Sequence, residues 1–112
     1  MNPAQQKLNE GQSYYFAAPP DYDAAVCEFQ RVTELSPDWH EGYYWLGCVL
    51  QTQNRHSDAI PYFQRSHQLA PDDPRPLMAL GAAFVRLARY DEAIATLSSA
   101  ISLKPHYSEA DT

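Results

Sequence analysis

The sequence predicts an all-α chain built as an array of three helix-turn-helix repeats. Three observations carry this. Pro37, Pro71 and Pro105 stand at a constant step of 34 residues. The same step links Leu35, Leu69 and Leu103, then Ala25, Ala59 and Ala93, then Phe29, Phe63 and Leu97, and it pairs Leu46 with Leu80 and Gly47 with Gly81. Within each unit the apolar residues recur at helical spacing, and no segment alternates with the period of two that a strand requires. One recurring proline would mean little, but several coincident series at one period define a repeat of supersecondary size.

Each unit divides into two helices. In the first, Leu8, Gly11, Tyr14 and Tyr15 place a helix over 4–17, and Asp21 to Leu35 place a second over 22–35. In the second, Tyr43, Leu46, Val49 and Leu50 define a helix over 39–53, followed by the polar break Gln53-Asn54-Arg55-His56. Ser57 or Asp58 is then the expected N-cap of a helix over 57–69 carrying Ala59, Ile60, Phe63 and Leu69, with Pro61 in its first turn and Pro71 as its stop. In the third, Leu77, Leu80, Gly81 and Phe84 give a helix over 74–87. Asp91 is the expected cap of the last helix, 91–103, which carries Ala93, Ile94, Leu97, Ala100, Ile101 and Leu103. The repeats therefore occupy about 4–39, 40–73 and 74–107 of a single domain spanning 1–112, with 108–112 as a short tail. Gly11, Gly47 and Gly81 fall mid-helix, where glycine costs about 1 kcal/mol against alanine. They are expected at close helix crossings, with Ala25, Ala59 and Ala93 facing them and Phe29, Phe63 and Leu97 filling the space beside.

Composition narrows the function. Of 112 residues, 45% are hydrophobic and 20% charged, which is ordinary globular composition. The formal net charge of -6 argues against nucleic acid and against an anionic membrane surface as partner. No apolar run approaches the ~20 residues of a membrane span, so no membrane insertion is expected. Residues 1–39 set Lys7 and Arg31 against six acidic residues; some of these, Asp21 among them, are read as helix N-terminal residues. The N-terminus lacks an apolar signal region, and two cysteines without CxxC spacing suit a reducing compartment, so a cytoplasmic location is expected.

The repeat units resemble the tetratricopeptide repeat family, whose pattern is Trp-x2-Leu-Gly-x2-Tyr, then Ala, Phe, Ala and Pro within a 34-residue unit. The second unit reads Tyr43-x2-Leu46-Gly47-x2-Leu50, Ala59, Phe63, Ser66, Pro71; the third reads Leu77-x2-Leu80-Gly81-x2-Phe84, Ala93, Leu97, Ala100, Pro105. The first reads Glu10-Gly11-x2-Tyr14, Ala25, Phe29, Val32, Pro37, and departs by two extra residues near Ala17-Ala18-Pro19-Pro20. The resemblance implies a right-handed superhelical solenoid whose first helices line a concave groove, and a scaffold that binds a peptide or partner segment there. Carried onto this sequence, the groove positions are Gln5, Leu8, Gln12, Tyr15 and Phe16 from the first unit; Glu41, Tyr44, Cys48, Gln51 and Thr52 from the second; and Arg75, Met78, Ala82, Val85 and Arg86 from the third. Family members that clamp a chaperone's C-terminal carboxylate use several converging cations and amides. The matching places here hold Leu8, Gln12, Trp45, Arg75 and Ala79, so a carboxylate clamp is not expected. Arg75, Arg86 and Arg89 offer at most a small basic spot. Two alternatives accompany the scaffold reading: an acidic three-repeat chaperone of the secretion type, and a regulatory or targeting fragment of a larger multidomain protein.

No catalytic, metal or cofactor site is expected. His40, His56, His67 and His106 form no ligand spacing with Cys27 or Cys48, a Cys27–Cys48 disulfide has no support, and the glycines are isolated rather than grouped around a phosphate. His56, Ser57 and Asp58 are neighbours in a turn, where helix capping explains them better than a catalytic triad. The last helix is expected to turn Ile94, Leu97 and Ile101 toward a missing neighbour, which suggests self-association or a continuing array.

Overall fold

The computed structural model describes the backbone of residues 2–111 and the side chains of residues 2–103. Among these residues it contains six α-helices and no strand: α1 Pro3–Tyr15, α2 Tyr22–Leu35, α3 His40–Thr52, α4 His56–Leu69, α5 Pro74–Arg86 and α6 Tyr90–Asp111. α1 packs on α2, α3 on α4 and α5 on α6, giving three hairpins; each second helix then packs on the first helix of the next hairpin. α1 touches α3 and α3 touches α5, so the first helices form a continuous layer.

The mid-helix glycines exist for the large residues of the second helices. A methyl group on Gly11 would lie 2.5 Å from the Phe29 ring, and one on Gly47 would lie 2.6 Å from the Phe63 ring. On Gly81 it would overlap the Leu97 side chain. The nearest atoms to each glycine thus belong to Phe29, Phe63 and Leu97, the large residues expected there. Ala25, Ala59 and Ala93 are buried core. One expectation for Leu97 is corrected. Its side chain is spent on its own hairpin, so of the three residues expected on the open face of α6 only Ile94 and Ile101 are exposed, by 65% and 63%.

Two hydrophobic clusters run through the array. One joins Ala4, Leu8, Phe29, Val32, Leu46 and Val49; the other joins Leu50, Ile60, Phe63, Leu77, Leu80 and Phe84. α3 contributes to both, and is therefore the helix that couples the first hairpin to the third.

The caps differ in part from expectation. Asp21 caps α2 by accepting from the Ala24 N–H at 3.1 Å, Asn2 caps α1, and Asp73 caps α5. Asp58 and Asp91 lie inside the first turns of α4 and α6, which begin earlier than expected, and Asp58 pairs with Arg55 at 3.0 Å. Because α4 starts at His56, Pro61 stands in its second turn and removes one backbone hydrogen bond there. Pro37 and Pro71 follow residues that have left the helical region, Ser36 at φ -141°, ψ 76° and Ala70 at φ -137°, ψ 75°, since proline disfavours a helical residue before it. α6 does not stop at Leu103; it continues through Pro105, whose fixed φ is compatible with a helix even though its donor is lost.

The second and third hairpins turn by one device. Asn54 and Ala88, one period apart, both adopt the left-handed region, with φ of 65° and 60°. The next residues, Arg55 and Arg89, donate back to Leu50 O and Phe84 O at 2.8 Å each, closing a Schellman motif. Asparagine tolerates this conformation, whereas alanine in it costs about 1–2 kcal/mol. Ala88→Gly should therefore raise stability by about 1 kcal/mol, read as a higher urea midpoint at unchanged slope. An unchanged midpoint would mean that glycine's extra freedom in the unfolded chain cancels the relief.

Candidate functional site

The face on which a groove is expected is the layer of α1, α3 and α5, and it carries a row of aromatic rings. Tyr15 and Phe16 end α1, and Tyr44 and Trp45 sit in the middle of α3. Phe16 and Tyr15 each stand edge-on to Trp45 with ring centroids 5.8 Å apart, and Tyr44 stands edge-on to Trp45 at 5.5 Å. Beneath them Trp45 stacks on the buried Phe29 at 6.0 Å, and Tyr44 meets Phe63 at 6.0 Å. The rings are thus anchored to both core clusters, and edge-to-face pairs at such spacing add to simple burial. Phe16 is 67% exposed at the open end of this row. Met78 and Val85 of α5 are also exposed.

Polar contacts fix the same face. The Thr52 hydroxyl donates to the Cys48 carbonyl at 2.9 Å, so the Tyr15 hydroxyl donates to Thr52 at 2.7 Å and ties α1 to α3. The Gln51 amide donates to the Ala79 carbonyl at 3.1 Å and ties α3 to α5.

At the N-terminal ends of α3 and α5 lies a charged knot. Arg75 pairs with the Glu41 carboxylate, and its guanidinium donates to Asp73 at 2.7 and 3.0 Å. It also stands over the Tyr44 ring, 4.6 Å from its centroid. Glu41 in turn accepts from the Trp45 indole N–H at 3.1 Å. Burial pushes the Asp73 carboxyl up, but the Arg75 donors outweigh it and hold the group below the usual carboxylate range. Arg75 is itself held more firmly protonated by Asp73 and Glu41. The Tyr44 hydroxyl is pushed up by burial.

The expected groove residues fall into four groups, with Thr52 joining the first through its bond to Tyr15. Tyr15, Tyr44, Glu41, Gln51 and Arg75 meet in the contacts just described; Phe16, Met78, Ala82, Val85 and Arg86 are exposed on their helices; Gln5, Gln12 and Cys48 are half-buried. Leu8 is different. It is buried in the cluster of Phe29, Leu46 and Val49 and is a core residue. The three arginines do not act as a basic spot: Arg75 is bound by two carboxylates and Arg89 is paired with Glu92 at 2.6 and 2.7 Å. Trp45, the hub of the aromatic row, and Asp73 were not among the expected groove residues. By repeat register Trp45 falls at a clamp position, and its two-sided packing has no signal in spacing.

Cys27 and Cys48 are both free thiols. Burial pushes the Cys48 thiol up to about 11, which leaves it protonated at neutral pH and without nucleophilic character. In a Cys27→Ser variant, alkylation of Cys48 by iodoacetamide should be barely measurable at pH 7.5 and should rise about tenfold per pH unit up to pH ~10. A rate that levels off below pH 9 would show the thiol is not held up.

His40, Glu41 and Asp73 are the one set of potential metal donors among the described residues whose ligand atoms lie within 4.8 Å of each other. The Arg75 guanidinium already offsets one of the two carboxylate charges. A separate cavity of about 760 Å³ is lined by residues of α2, α3 and α4 including Val26, Leu46, Leu50 and Tyr62. No helix among the described residues is long and apolar enough to cross a membrane.

Three stacked helical hairpins define a class: the helical-repeat scaffold. The chain belongs to the tetratricopeptide repeat family, whose sequence models match residues 10–74 and 50–112. It is similar to the tetratricopeptide repeat and J domain-containing co-chaperone DNJ1 of Fusarium oxysporum, 37% identical over 64 residues, covering 57% of this chain and 12% of that protein. It is also similar to the UDP-N-acetylglucosamine–peptide N-acetylglucosaminyltransferase of Giardia intestinalis, 29% identical over 75 residues, covering 67% of this chain and 5% of that protein. The match thus spans only a small part of these relatives. Among solved structures, MamA superposes with a TM-score of 0.87 at 22% identity, over 95% of this chain and 61% of that one. The second repeat domain of Spaghetti (RPAP3), bound to an HSP90 peptide SRMEEVD, superposes with a TM-score of 0.83 at 13% identity, over 89% of this chain and 91% of that one. At such identities these likenesses establish the fold alone.

Proposed function

We propose that this chain is a protein-interaction scaffold whose concave face binds an internal segment of a partner through apolar anchors, and not a partner's terminal carboxylate. One observation carries the reading: the aromatic row from Phe16 through Trp45 to Tyr44, fixed from below by both cores, ends in an exposed ring. A rigid aromatic floor of this kind is what concentrates binding energy at interfaces, since its rings lose little freedom when covered. That a solved repeat domain of the same fold holds a peptide supports a peptide-sized ligand. The lack of a free cation in the Arg75 knot speaks against a carboxylate one.

Panning a phage-displayed random dodecapeptide library on the 112-residue chain tests this. The expected result is enrichment of peptides with aromatic or aliphatic anchors. Phe16→Ala combined with Met78→Arg should weaken the enriched peptides by at least ~10-fold. Undiminished binding to that variant would move the site off the concave face, with the cavity lined by Val26 and Tyr62 the next place to look. A second reading, that the scaffold serves as a regulatory or targeting part of a larger protein, is favoured by the small share of the relatives' length that the match covers.

A further inference from the structure

We infer that Glu41 and Asp73 set the charge selectivity of the concave face by locking Arg75, the one groove arginine placed beside the aromatic floor, away from anionic ligands. Its biological meaning rests on the groove reading above, but its physical content does not.

Glu41 and Arg75 stand one repeat apart, so they occupy the same position on successive first helices, with opposite charge. Asp73 caps the helix that Arg75 opens and reaches the same guanidinium. Both carboxylates are mostly covered, at 17% and 14% side-chain exposure, while Arg75 keeps 43%. The guanidinium is thus partly exposed, yet one of its edges is committed. Arg75 Nη2 serves Glu41 and Asp73, its Nε serves Asp73, and its face lies on Tyr44. An incoming carboxylate would either displace the bidentate Asp73 or take only the Nη1 side, and in both cases would sit beside two like charges, which costs more than the new pair returns. The three groups together carry one net negative charge. Next to the aromatic row, the face therefore admits neutral or cationic side chains and turns away acidic ones.

The lock can be removed without removing the fold. Asparagine at position 73 still offers an oxygen to cap α5, and glutamine at position 41 still offers one to the Trp45 indole. The probe is the heptapeptide SRMEEVD as free acid and as C-terminal amide, followed by 15N chemical-shift titration at low ionic strength. With the wild-type chain, acid and amide should bind equally weakly. With Glu41→Gln plus Asp73→Asn, shown by circular dichroism to be folded, the acid should bind at least ~5-fold more tightly than the amide. Adding Arg75→Gln should restore parity. The inference is overturned by an acid preference already present in the wild type. It is equally overturned by parity in the folded double variant, or by an acid preference that survives Arg75→Gln. The library selection above reads the apolar anchors Phe16 and Met78 and is blind to this comparison, so either result can fail while the other stands.

Discussion

Phe63→Ala should destabilise the chain by about 4 kcal/mol, the largest single effect expected from any core truncation here. Phe63 is fully buried. Its ring fills the space left by Gly47 on one side and supports Tyr44 on the other. It also belongs to the cluster that carries Leu77, Leu80 and Phe84 of the third hairpin. Truncation therefore opens a cavity between α3 and α4 and weakens the contact of α4 with α5. In a stacked array, stability is close to a sum of units and the interfaces between neighbours, so damage to the central unit removes two interfaces at once. The thermal midpoint should fall by roughly 15–25 °C. Phe63→Leu should cost much less, since the third unit already uses Leu97 at this register. If both variants melt within a few degrees of wild type, the Phe63 ring is not the keystone of the central hairpin.

The fold was legible in the sequence because each repeat position performs one packing job three times. Pro37, Pro71 and Pro105, or Ala25, Ala59 and Ala93, recur because the same local geometry recurs, and that is information a period can carry. What the period cannot carry is contact between side chains of different units. Leu8 sits at a groove register by counting, yet it is drawn into the core under α3. Leu97 follows Phe29 and Phe63 in the series and so points at its own hairpin; assigning it also to an open face contradicted the series itself. Arg75 looked like a lone cation because its partners come from the preceding unit and from a cap. One signal was available: Glu41 and Arg75 are opposite charges one period apart on adjacent helices, the arrangement that lets two units pair. The turn at Ala88 was hidden for another reason. Its left-handed backbone follows from register with Asn54, and alanine gives no residue-type hint of it.

Gly47→Ala should be the second largest perturbation, and its sign depends on Phe63. In a free helix the change would stabilise by about 1 kcal/mol. Here the new methyl would lie 2.6 Å from one Phe63 ring carbon and 2.8 Å from two others. A buried ring pinned between helices cannot swing aside as the end of a long flexible chain could, so α3 and α4 must separate. Overpacking of this kind costs about 1–3 kcal/mol and here outweighs the propensity gain, leaving a net loss of about 2 kcal/mol. In the Phe63→Ala background the clash is absent and the methyl fills part of the vacated space, so the same substitution should stabilise by about 1 kcal/mol. The cycle thus predicts a coupling of about 3 kcal/mol between the two positions, at the upper end for residues in contact. α3 also carries Tyr44 and Trp45, so the displacement should reach the concave face. The near-ultraviolet circular dichroism of Gly47→Ala should change where the Trp45 indole absorbs, while far-ultraviolet helicity is kept. Additive melting data across the cycle would mean that the glycine is not there for the ring, and that the repeated small–large pairing of Gly11 with Phe29, Gly47 with Phe63 and Gly81 with Leu97 is not what sets the spacing of the helices that carry the groove.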